Sequence, residues 1–131
     1  MVKLGHKPKS PRLLTDVELE MMNILWKHNG GTVNDVLAAL QPHRKLAYTS
    51  VSTMLRILEQ KGVLESEKAG RGHIYRPKVP KHEYETKTLR HLVDNVFEGA
   101  PGQLVQRLLE VESLSEEDLS VIRRLLKEKR S

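Results

Sequence analysis

Thr49, Ser52, Thr53, Arg56 and Gln60 recur at three- and four-residue spacing, which places them on one side of a helix. They are small hydroxyls, one guanidinium and one amide, groups that approach phosphate oxygens and base edges closely. An ordinary surface helix carries Glu and Lys at such positions, so this stripe points to contact with a nucleic acid. Tyr48, Thr49 and Ser50 at the helix start suit phosphate or thymine-methyl contacts, with helix capping as the competing role for the hydroxyls. Arg56 suits a bidentate bond to guanine, worth about 1–3 kcal/mol of discrimination, with a grip on phosphate as the alternative. Arg44, Lys45, Lys68, Arg71 and Arg76 flank the helix and would neutralise phosphates; the bland alternative is that one or two are merely solvated.

The elements that must position these groups are legible from periodicity. Val51, Met54, Leu55 and Leu58 form the apolar side of the same helix, expected over Tyr48 to Lys61 and ended by Gly62. Upstream, Thr15 with Glu18 makes a capping box for a helix carrying Val17, Met21, Met22, Ile24, Leu25 and Trp26, which stops at Asn29-Gly30-Gly31. Thr32 with Asp35 opens a short helix bearing Val33, Val36, Leu37 and Leu40, stopped by Pro42. Downstream, VLESEKAGRGHIYRPKV reads as a β-hairpin with Arg71 at its tip, closed by Pro77 and Pro80. Three helices followed by a hairpin make a winged helix-turn-helix, whose third helix enters the major groove while the hairpin touches adjacent backbone.

From Lys81 onward the period is helical again. Tyr84, Leu89, Leu92, Val93 and Val96 form one stripe, broken at Gly99-Ala100-Pro101-Gly102. A helix from Gln103 to about Val111 carries Leu104, Val105, Leu108 and Leu109. Ser115 and Asp118 cap a last helix bearing Leu119, Ile122, Leu125 and Leu126. Three short helices of about 45 residues bury too little to stand alone, so pairing with the same region of a second copy is expected. The alternative is that they fold back on their own winged helix. The expected fold is therefore mainly α with a small β-hairpin. Residues 1–12 form a flexible basic arm, 13–80 a winged-helix DNA-binding domain and 81–131 a helical dimerisation region through Tyr84, Leu89, Leu92, Val96, Leu104, Leu108, Leu119, Ile122 and Leu126.

Composition agrees and removes whole classes of function. Residues 1–82 carry 14 Lys/Arg against 7 Asp/Glu, net +7, whereas 83–131 carry 8 against 10, net −2. A basic part joined to a mildly acidic one suggests that the first meets a polyanion, chance asymmetry being the alternative. The chain has no cysteine, which excludes disulfides, thiol catalysis and thiolate metal sites. Its six His form no ligand pair, so no metal or other cofactor is expected. No nucleophile–base set, paired carboxylate motif or phosphate loop is present, which argues against an enzyme. No run of about 18 apolar residues occurs, so no membrane insertion is expected and a cytoplasmic location follows.

The runs LTDVELEMMNILWKHNGGTVNDVLAAL and LAYTSVSTMLRILEQKGVLESEKAGRGHIYRP resemble the penicillinase-repressor (BlaI/MecI/CopY) family of transcriptional regulators. The resemblance covers roughly 13–126 and includes Thr15, Glu18, Met22 and Trp26 in the first helix and the turn from Lys61 to Leu64. It implies a homodimeric repressor on a palindromic double-stranded operator upstream of β-lactam-resistance or related stress genes, with the C-terminal helices making the dimer. It places Tyr48, Thr49, Ser50, Ser52, Thr53 and Arg56 on the recognition helix and Arg71 on the wing. Copper-responsive members carry C-terminal cysteines, which this chain lacks. Members released by a sensor protease are cut at an Asn-Phe bond, and the matching place here reads Arg107-Leu108. The resemblance thus implies a cleavage region, 103–113, without that bond. Two other uses of the fold stay open, a protein-interaction module and a ligand-responsive regulator.

Overall fold

The computed structural model describes residues 14–130, so the basic arm expected at 1–12 lies outside the described residues. The described residues fall into two compact units, divided between Leu89 and Arg90.

The first unit is built from α1 (Asp16–His28), α2 (Val33–Leu40), α3 (Tyr48–Gln60), β1 (Leu64–Ala69) and β2 (Gly72–Pro77), with the start of α4 (Lys81–Asn95). Both expected capping boxes form, Thr15 with Glu18 and Thr32 with Asp35, each satisfying two backbone N–H groups that a helix start leaves free. Asn29 ends α1 in the left-handed conformation, and its N–H donates to the Leu25 carbonyl. The core joins Met21, Met22 and Leu25 of α1, Val36 and Leu40 of α2, Val51, Leu55 and Leu58 of α3, Leu64 of β1 and Tyr75 of β2. In α1, α2 and α3 the stripe read from the three- and four-residue spacing is the one that faces the core.

β1 and β2 pair antiparallel from Leu64↔Pro77 to Ala69↔Gly72, leaving Gly70-Arg71 as a two-residue loop. Gly70 takes φ +62°, which such hairpin loops require and which costs glycine nothing. A third segment joins the hairpin at one point, since Gly31 and Tyr75 exchange backbone hydrogen bonds of 2.9 and 2.8 Å. Gly30 makes this approach possible. Its φ is +122°, and a Cβ there would lie 3.0 Å from the Tyr75 carbonyl oxygen.

Tyr84 corrects an expectation. Its hydroxyl accepts from the Leu14 N–H at 3.1 Å, its ring lies 5.7 Å from that of Trp26, and it packs on the core of the first unit. Trp26 Nε1 in turn donates to the Val79 carbonyl at 2.9 Å. The start of α4 thus serves the winged helix, so the unit boundary falls inside α4 and not at Lys81.

The second unit comprises the rest of α4, α5 (Pro101–Val111) and α6 (Glu116–Arg130). α5 starts two residues before the expected Gln103, because Pro101 at the first turn brings a suitable φ and lacks only an N–H that the helix would leave free. Ser115 and Asp118 cap α6 reciprocally, as expected. None of α4, α5 and α6 contains a buried residue.

Candidate nucleic-acid interface

On α3 the inner side is closed and the outer side open. Val51, Leu55 and Leu58 are fully buried and Met54 packs on their rim, while Tyr48, Thr49, Ser50, Thr53, Arg56 and Gln60 are exposed and Ser52 is half-buried. The hydroxyls at the helix start do not cap it. Ala47 is the N-cap with no side-chain hydrogen bond, and the first turn contains no acid. Thr49 and Ser50 therefore keep their hydroxyls, and the helix presents free N–H groups and a positive dipole end at the same place. Sequence reasoning left capping open; the structure removes it. It missed Ile57, also exposed on this helix, because the apolar positions on the opposite side drew the pattern.

Three contacts fix the attitude of α3. Lys61, following its last turn, sends Nζ to both carboxylate oxygens of Glu18, at 2.9 and 2.7 Å. Glu18 is also the reciprocal member of the α1 capping box, so one buried carboxylate closes α1 at its start and α3 at its end. Burial pushes this carboxyl up, the largest single effect, but Lys61 and the Thr15 N–H together outweigh it and hold it below the usual range. Ser66 of β1 donates to Glu59 of α3 at 2.7 Å, which ties the wing to the helix. The buried Tyr75 phenol is pushed up by burial and then by Glu59, with Arg56 opposing, so Glu59 and Arg56 lie within electrostatic reach of β2.

The third contact is made by Arg44. Its Nε lies 2.9 and 2.8 Å from the two Glu20 oxygens and its Nη2 2.6 Å from one of them, and the Arg44 bond holds the Glu20 carboxyl below its usual range. This guanidinium already serves a carboxylate, anchoring the loop before α3 to α1. Arg76 is paired as well. Register places Arg76 with Glu65, Glu67 and Ile74 on one face of the hairpin, where it pairs with Glu67. Lys68 lies on the other face with Ser66, His73 and Tyr75, the face that meets α3. Arg71 occupies the loop tip. Of the cations expected to meet DNA, Lys45, Arg56, Lys68 and Arg71 have no carboxylate partner among the described residues.

Of the residues expected at a dimer seam, Leu89, Leu92, Val96, Leu108 and Leu126 are exposed, and Leu104, Leu119 and Ile122 are half-buried. Leu125, Val105, Leu109 and Val121 are exposed as well. Arg107 and Leu108 lie inside α5, where Arg107 pairs with Glu110; extended backbone comes only afterwards, at Glu112. No cluster of potential metal ligands and no helix long and apolar enough to cross a membrane occur among the described residues.

Comparisons with known proteins agree over most of the chain. A family profile described as penicillinase repressor matches residues 14–128. The penicillinase repressor of Bacillus licheniformis is 29% identical over 115 residues, covering 88% of this chain and 90% of the relative. The methicillin resistance regulatory protein MecI of Mammaliicoccus sciuri is 25% identical over 116 residues, covering 88% and 94%. Among solved structures, the DNA-binding domain of the repressor BlaI is 33% identical with a TM-score of 0.51, covering 60% of this chain and 94% of that one.

Proposed function

This chain belongs to the penicillinase repressor family, and from that footing we propose how it works: a homodimer occupies a palindromic operator, places one α3 in each of two major grooves, and blocks transcription of β-lactam-resistance or related stress genes by occlusion. The observation that carries the DNA-binding part is the outer side of α3. It is exposed, free of acids, rich in short hydroxyls and supplied with an Arg that no carboxylate holds. Side chains of this kind reach base edges without first giving up a bond to a carboxylate of their own chain.

In this reading Thr49, Ser50, Ser52, Thr53 and Arg56 address the groove, and Tyr48 with the free N–H groups at the start of α3 meets phosphate. Lys45, Lys68 and Arg71 hold flanking phosphates. Arg44 and Arg76 contribute through the fold. The exposed Leu and Val residues of α4, α5 and α6 support pairing with a second copy, since a water-facing apolar series of this extent is stable only when covered. A sensor protease that cuts within 103–113 would release such a dimer. An intrahelical bond such as Arg107-Leu108 must first unwind, whereas the extended backbone at Glu112 is already accessible. A cytoplasmic location fits these roles.

The test is a titration into the DNA upstream of the protein's own gene and into a scrambled duplex, at two salt concentrations with excess competitor. Tighter binding to the native fragment, with two protomers per site, is the expected result. Equal, salt-sensitive binding to both duplexes would reduce the protein to a non-specific DNA binder.

A further inference from the structure

Ile57 is the one large aliphatic side chain that α3 leaves in solvent, 38% exposed, and it belongs neither to the core nor to the apolar rim packed against it. An exposed β-branched residue gains nothing for a helix by propensity. Its place on the helix is informative. At about 100° per residue, Ile57 stands only about 20° from Ser50 and about 40° from Thr53, and about 160° from Glu59. Glu59 is the residue that Ser66 of β1 holds. The outer side of α3 therefore has two unlike flanks. Tyr48, Ser52 and Arg56 adjoin the wing, while Ser50, Thr53 and Ile57 lie away from it and offer a hydroxymethyl, a methyl and a branched hydrocarbon.

We propose that Ile57, with the Thr53 methyl beside it, reads the C5-methyl of thymine in the major groove, which makes Ile57 a specificity-determining residue of this repressor. The inference rests on the reading of α3 as the element that enters DNA. Among the groups displayed in the major groove, the thymine methyl is the one apolar group, and an aliphatic side chain that no core demands is its complement. Arg56 on the other flank would then address guanine or phosphate, so the two flanks would read different base pairs.

The experiment begins by selecting duplexes from a randomised pool with the full chain. Each thymine of the selected site is then replaced singly by deoxyuridine, which removes one methyl and leaves every hydrogen-bonding group in place. Wild-type protein should lose about three- to fourfold in affinity at one or two thymines per half-site, the effect of exposing one methyl. Ile57→Ala, a change at an exposed position, should still bind the site and should be indifferent to deoxyuridine at those positions. Thr53→Ser, which removes only the neighbouring methyl, should keep most of the sensitivity. The proposal is overturned if wild type ignores every deoxyuridine, if Ile57→Ala keeps the wild-type pattern, or if Thr53→Ser alone abolishes it. In those cases specific binding itself stands. A selection that yields no preferred sequence would instead sink the DNA-reading role of α3, and this proposal with it.

Discussion

At the scale of single residues, the proposed mode of binding separates the cations by partner: those that no carboxylate holds meet phosphate, and Arg44 and Arg76, already paired, serve the fold. Lys68→Ala and Arg71→Ala should each weaken all duplexes alike and lower the salt slope by about one, because each would remove one phosphate contact of the proposed complex. Arg76→Ala should leave that slope unchanged, since Glu67 already occupies its guanidinium. Titration at four salt concentrations separates the two outcomes; a loss at Arg76 equal to that at Arg71 would contradict the assignment of hairpin faces. Lys61 is the opposite case, a cation committed to the interior. Lys61→Met strands the buried Glu18 carboxylate and should cost about 3 kcal/mol in urea unfolding. The pH dependence carries the same signature. Glu18 has a depressed folded pKa, so its contribution is present above the ordinary glutamate range and is lost as pH falls through the depressed value. Wild type should therefore lose more stability on acidification than Lys61→Met does. Equal acid sensitivity of the two proteins would show that the pair does not set this slope.

At the scale of elements, what the sequence made legible was local. The capping boxes at Thr15 and Thr32, the buried stripe of α3 and the Gly70-Arg71 loop each have a signature within a few residues, and each forms as expected. The contacts that orient the elements carry no such signature. Glu18 with Lys61, Arg44 with Glu20, and Gly31 with Tyr75 join distant positions, so spacing along the chain does not reveal them. Tyr84 fits the helical period of α4 and so the dimer stripe, yet Trp26 and Leu14, far away in sequence, draw it onto α1. Ile57 was hidden by the reverse effect, an apolar residue off the apolar face. The Gly31–Tyr75 junction offers a direct check. Gly30→Ala should cost about 2 kcal/mol from its positive φ alone, with the 3.0 Å approach to the Tyr75 carbonyl adding to it. Denaturation midpoints of the two proteins measure this, and an unchanged midpoint would mean that the junction relaxes freely.

At the scale of the whole molecule, the two units divide the work by their surfaces. The first closes a core and exposes a polar, cationic reading face, whereas the second exposes hydrocarbon along all its helices. In the proposed dimer, stability should depend on protein concentration, because a second copy that covers α4, α5 and α6 binds the native state only. Leu126→Glu should remove that dependence and weaken full-site binding at least tenfold, while half-site binding stays as it was; analytical ultracentrifugation with paired titrations reads both. Whether two copies each present α3 to a major groove can be read from a hydroxyl-radical footprint of the full chain on the DNA upstream of its own gene. A dimer on a palindrome gives two protected segments related by two-fold symmetry, their centres one or more helical turns of about 10 base pairs apart. A single unsymmetrical patch, or uniform protection along the fragment, would contradict it.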